Sequence, residues 1–212
     1  MKMKKKYKLL LSILAIAIIL LIGLSIHKLI LNKPKEEKTI TNVANVTNKI
    51  EGYNYTLDDR DNELFENTFK ELKENLESDE INEEEYAKSL AKLFIIDIYT
   101  IENKVSKYDI GGLEYLNENA KDSFRAKLLD TLYKTVEDDS YKTRTQELPN
   151  VKSIEVNNIT TTSYKMGGTD YEAYEVTLSW TYEKDLGYDK SGTITMIKEE
   201  KRLDVTSYNP GK

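Results

Sequence analysis

Residues Leu9 to Ile26 read LLLSILAIAIILLIGLSI, a run without a charge and with only two serines. Five lysines stand before it: Lys2, Lys4, Lys5, Lys6 and Lys8. At a rise of about 1.5 Å per residue this run nearly crosses a hydrocarbon core of roughly 30 Å, and Leu29 to Leu31 extend it by a turn. The spacing predicts a transmembrane anchor over residues 9–31, with Leu9, Leu14, Ile19, Ile22 and Ile26 among its anchoring positions. Basic residues stay on the cytoplasmic side. Residues 1–8 are therefore expected as a cytoplasmic tail, and the chain beyond the anchor as extracellular. The expected address is the cell membrane, crossed once, and the expected contact of residues 9–31 is membrane lipid. The alternative is a cleaved signal with its cut at Gly23-Leu24-Ser25. Ile26 and Leu29 to Leu31 keep the segment apolar past that cut, which favours a retained anchor. His27, the only histidine, falls at the outer end of the span.

The net charge of -6 conceals a split. Residues 1–38 hold nine lysines and two glutamates, a balance of +7. Subtracted from totals of 31 basic and 37 acidic residues, this leaves 22 basic and 35 acidic over residues 39–212, a balance of -13. A domain so acidic repels phosphate backbones, which argues against a nucleic-acid partner. Its acidity reads as a solvated surface, or else as a face for a cation or basic partner. The chain has no cysteine, which excludes disulfides, thiolate metal sites and cysteine nucleophiles. Beyond His27 there is no histidine for a serine–histidine pair or a typical zinc site. No phosphate loop, dinucleotide fingerprint or nucleophile elbow occurs. No catalytic residue, metal ligand or cofactor is therefore expected.

Residues 32–52 are polar and without period, and read as a tether. Asp58 to Leu76 reads as a helix capped by Asp58 or Asp59, with Leu64, Phe65, Phe69, Leu72 and Leu76 on one face. A second helix starts near Asn82, with Glu83, Glu84 and Glu85 at the positive end of its dipole, and runs to between Lys104 and Lys107. Gly111-Gly112 mark a turn, and Val105 to Ile110 are a candidate short strand. A third helix is expected over about Ala120 to Val136. After Pro149 the period changes to two: Tyr174, Val176, Leu178, Trp180 and Tyr182 alternate with polar residues, the signature of a strand with one buried face. Val151 to Met166 is its expected neighbour through Gly167-Gly168, with a bulge near Asn157-Asn158. Thr193 to Thr206 is expected as one strand on the other side. The fold class is α+β: an N-terminal transmembrane helix, then three helices packed on a curved antiparallel sheet of three to four strands, the outer domain spanning 53–212.

Asp97 is out of place, lying within LFIIDI on the apolar face of the second helix. A buried carboxylate needs a partner or a wet cleft. One reading gives it a hydrogen bond from a tyrosine hydroxyl or a loop amide. The other makes it a pocket acid facing Tyr174, Trp180 or Tyr182, able to bind a small ligand or act as a weak general acid. The run Asp58 to Glu63 begins like a calcium loop but lacks its central glycine and closing glutamate. Fifteen tyrosines against four phenylalanines suit half-buried packing or an adhesive surface.

The order of basic tail, single span, tether, three-helix prefix and the Tyr174–Tyr182 strand resembles a known plan over roughly residues 8–208. It is similar to the nuclear-transport-factor-2-like (cystatin-like cone) fold, and more specifically to the single-span scaffold subunits of bacterial type IV secretion and conjugation machines. The resemblance implies a non-enzymatic outer domain that assembles with other envelope proteins. It carries over no site residue.

Overall fold

The computed structural model describes residues 44–211. The expected tail, anchor and most of the tether lie outside the described residues. Among the described residues no helix is long and apolar enough to cross a membrane. The described residues form an α+β domain with three α-helices, a four-stranded antiparallel sheet and a separate two-stranded sheet.

The first element corrects the tether. Val46–Ile50 (β1) and Tyr55–Asp58 (β2) pair as an antiparallel hairpin. Ile50, Tyr53 and Tyr55 are buried, so the folded domain begins ahead of residue 53. Tyr55 is keyed deep into the core. Its hydroxyl donates to the carbonyl of Leu203 at 2.9 Å and meets the Tyr86 hydroxyl at 2.7 Å. The Tyr86 hydroxyl in turn accepts the N–H of Leu203 at 3.0 Å.

Helix α1 spans Glu63–Leu76. Its cap is Asn62, not Asp58 or Asp59: the Asn62 side chain accepts the N–H of Phe65 at 2.9 Å. Asp58 instead closes β2. Phe65, Phe69, Leu72 and Leu76 are buried as their spacing predicts. Helix α2 spans Glu83–Tyr99, capped by Asn82, with its three glutamates in the first turn. It is buried almost all round, with Leu90, Phe94 and Ile98 fully enclosed, as a helix apolar on every side must be. It packs against α1 on one side and against the sheet on the other. It stops at Tyr99, short of the expected end. Residues 105–110 form a loop and not a strand. After a single 3-10 turn at Leu113–Tyr115 comes α3, Glu118–Asp130, which buries only Leu128. Turns take over at Thr131, earlier than the predicted end at Val136.

The sheet runs in the order β3 (Val151–Met166), β4 (Thr169–Tyr182), β5 (Ser191–Glu199), β6 (Arg202–Pro210). Strand β4 alternates as predicted, with Tyr174, Val176, Leu178, Trp180 and Tyr182 facing the core. The predicted β3 bulge falls between Val156 and Asn158, and a second register shift lies between Val151 and Ser153. The single strand expected over 193–206 is two. A two-residue turn at Glu200 and Lys201 splits it, with Glu200 at φ 55°. This explains the slip in parity between Met196 and Leu203.

Candidate functional site

Asp97 projects from the last turns of α2 into a latch. Its Oδ1 accepts from Lys104 Nζ at 2.5 Å, and its Oδ2 from the N–H of Gly112 at 2.6 Å. Lys104 is buried. Burial works against a charged lysine, but the adjoining Asp97 carboxylate outweighs it and holds the ammonium above the ordinary lysine range. Gly111 is required by close approach, since a Cβ there would sit 2.1 Å from the Asp97 carbonyl oxygen. Its N–H donates to the Tyr133 hydroxyl at 3.1 Å, which donates onward to the Ile98 carbonyl at 2.9 Å. The loop-amide reading of Asp97 is therefore the one the structure shows, with Lys104 as a second partner.

The pocket constellation is corrected. Tyr174, Trp180 and Tyr182 do not join Asp97. The Tyr174 hydroxyl donates to Glu172 at 3.3 Å, and burial together with that carboxylate pushes its pKa up to about 12. Trp180 Nε1 donates to the Tyr182 hydroxyl at 2.8 Å, which donates to the Asp189 carbonyl at 2.6 Å. Trp180 also lies against Tyr99, ring centres 5.1 Å apart. Tyr99 donates to the Asp189 carboxylate at 2.9 Å and meets the Tyr208 hydroxyl at 2.8 Å. Tyr99, Asp189 and Tyr208 thus organise two of the three predicted aromatics. The sequence signal for Tyr99 was its place on the buried helix, two residues after Asp97. Tyr208 lies beyond the expected end of its strand, and Asp189 in a loop without period.

Asp97 instead borders a cavity of about 180 Å³ shared with Asp58, Asp61, Glu114 and Thr56. Burial pushes the pKa of Asp61 up to about 7, against the N–H of Asp58 donating to it at 2.8 Å. Burial likewise lifts Glu114 to about 7, although the Thr56 hydroxyl donates to it at 2.7 Å. Arg60 pairs with Asp109 at 2.7 Å and with Asp58 at 3.6 Å. The run that began like a calcium loop is thus absorbed in turns, ion pairs and a helix cap. Among the described residues no group of three or more His, Cys, Asp or Glu is arranged to hold a metal ion.

Larger cavities border α3: the largest of three, about 480 Å³, lies at its first turns beside Glu118, Lys121, Glu199 and Arg202, and two more lie further along the helix. One, about 370 Å³, runs between α3 and β6. The other, about 290 Å³, lies among Tyr99, Leu128, Leu132, Tyr188 and Tyr208. Phe124, Lys127 and Tyr208 border both. No family model, curated protein or solved structure matches this chain.

Proposed function

We propose that this chain is a single-pass membrane protein whose outer α+β domain works by protein–protein contact, as a scaffold or accessory subunit of a bacterial secretion or conjugation machine. Residues 9–31 hold it in lipid, and residues beyond the anchor face outward. The apolar run behind a lysine cluster supports the address. The observation that carries the contact reading over a ligand pocket is the engagement of Asp97. Lys104 and Gly112 occupy its carboxylate, and the cavity beside it is small and contains none of Tyr174, Trp180 and Tyr182. A carboxylate tied down in this way positions a loop and offers no free acid to a substrate. The nuclear-transport-factor-2-like likeness belongs to the same proposal.

Cross-linking in the native membrane, followed by identification of the attached proteins, tests it. Envelope proteins attached to residues beyond the anchor are the expected result. A mature polypeptide free in culture fluid and starting near Ile26 overturns the anchored-subunit reading.

A further inference from the structure

We propose that the groove between α3 and the open edge of β6 receives an extended peptide segment of a partner protein, which adds to the sheet as a fifth strand. This deepens the protein–protein reading above and rests on it.

Strand β6 is last in the sheet, and among the described residues β5 is the one strand it pairs with. The N–H of Gly211 donates to the Ser191 carbonyl at 2.7 Å. In an antiparallel ladder, residues alternate between bonding the neighbour and turning away from it. Counting back in register, Asn209 and Ser207 bond to β5, and Tyr208 turns its N–H and C=O toward the open edge. A row of unpaired main-chain groups is a template for another strand.

The chain itself begins to use that lane. Leu116 forms a single parallel bridge with Val205. Asn117 then caps α3 and carries the chain away from the edge. Beyond Val205 no described residue pairs with the outer edge of β6. Ala120 and Ser123, one turn apart on α3, line the lane with small side chains, which leaves room for a backbone between helix and strand. Phe124, Lys127 and Tyr208 border both this space of about 370 Å³ and the neighbouring 290 Å³ cavity, which Leu128 and Leu132 also line. A strand sends every second side chain to the same face, so a peptide in the lane directs one apolar residue into the second cavity.

Charge selects the occupant further. Residues 39–212 carry a balance of -13, yet Lys127 is the one charged side chain lining the first cavity. It makes none of the ion pairs found among the described residues. The fitting segment therefore alternates apolar and polar residues and carries a carboxylate opposite Lys127.

The test pans the full-length protein in detergent micelles against a displayed library of random ten-residue peptides, with empty micelles as the control. Enriched peptides are expected to show the alternating apolar pattern with an acidic residue. A synthetic copy is expected to slow hydrogen exchange at the Tyr208 amide. Ser123→Arg, which fills the lane, is expected to weaken binding at least about tenfold. The surface change Lys127→Glu is expected to weaken it about threefold or more, with the fold of both variants checked by Trp180 fluorescence. Absence of enrichment, an unchanged Tyr208 amide, or binding indifferent to both substitutions overturns the groove. If membrane cross-linking then finds envelope partners seated on another face, the scaffold reading survives and only the groove falls. If it finds none, both fall.

Discussion

Replacing Lys104 with methionine strands the Asp97 carboxylate inside the fold. The two groups are 2.5 Å apart, with side chains 7% and 18% exposed. Removing one partner of a buried pair typically costs about 3–5 kcal/mol, because the remaining charge is left uncompensated. Gly112 still donates to Asp97, which places the expected loss near the lower bound, at about 3 kcal/mol. For a domain of this size that is a fall in Tm of about 6–12 °C. Asp97→Asn strands Lys104 instead and is expected to cost a similar amount. The double variant removes both charges and keeps an acceptor for Gly112. Its loss is expected to fall short of the sum by about 2 kcal/mol. The readout is urea unfolding of the full-length protein in mild detergent, followed by the fluorescence of Trp180, the only tryptophan and 2% exposed. Single losses below about 1 kcal/mol, or strict additivity in the double variant, would refute a latch built on this pair.

Asp61 and Glu114 have folded pKa values lifted to about 7 from ordinary values of 3.8 and 4.5. Between roughly pH 4 and 7 the unfolded chain therefore releases protons that the fold retains. Their contribution is fully present below about pH 4, declines as pH rises through 7, and then levels off. Asp61→Asn and Glu114→Gln are each expected to flatten that decline in unfolding experiments at pH 5 and pH 8, by on the order of 1–2 kcal/mol after allowance for partial exposure. A slope unchanged from the parent protein contradicts the assignment. Gly111→Ala drives a methyl into the Asp97 carbonyl and is expected to cost more than about 3 kcal/mol. Gly167→Ala, with open space around it and φ 59°, is expected to cost only about 1 kcal/mol; equal losses would remove the close-approach argument. Because the chain lacks cysteine, Ser163→Cys on exposed β3 gives a single label site. A membrane-impermeant maleimide added to intact cells stripped of any outer envelope is expected to modify it, and protection would reverse the proposed orientation.

Periodicity made the middle of the fold legible. Leu90, Phe94 and Ile98 on α2 and the alternation from Tyr174 to Tyr182 leave little choice of element or face. What the sequence concealed has physical causes. The β1–β2 hairpin hides in polar composition because only Ile50, Tyr53 and Tyr55 are buried there, too few to set a period. The turn at Glu200-Lys201 lacks the Gly, Asn or Pro that usually punctuates a hairpin, and the slipped parity was its one trace. The isolation of Asp97 among apolar residues was visible, but its partners were not. Lys104 and Gly112 lie past the end of α2, where loop geometry and not helical spacing decides contact. Tyr99, Tyr208 and Asp189 meet from three separate elements, and no local pattern encodes such a meeting.

The wedging of Tyr55 beneath Leu203 and Tyr86 has a mechanical consequence. Tension arriving from the N-terminal side can strip away the outward residues of β1, but it then bears on Ile50, Tyr53 and Tyr55. From there the load passes into β6 and α2 together. A domain pulled from that side would be held by a rivet through its middle and not by a frayed hem.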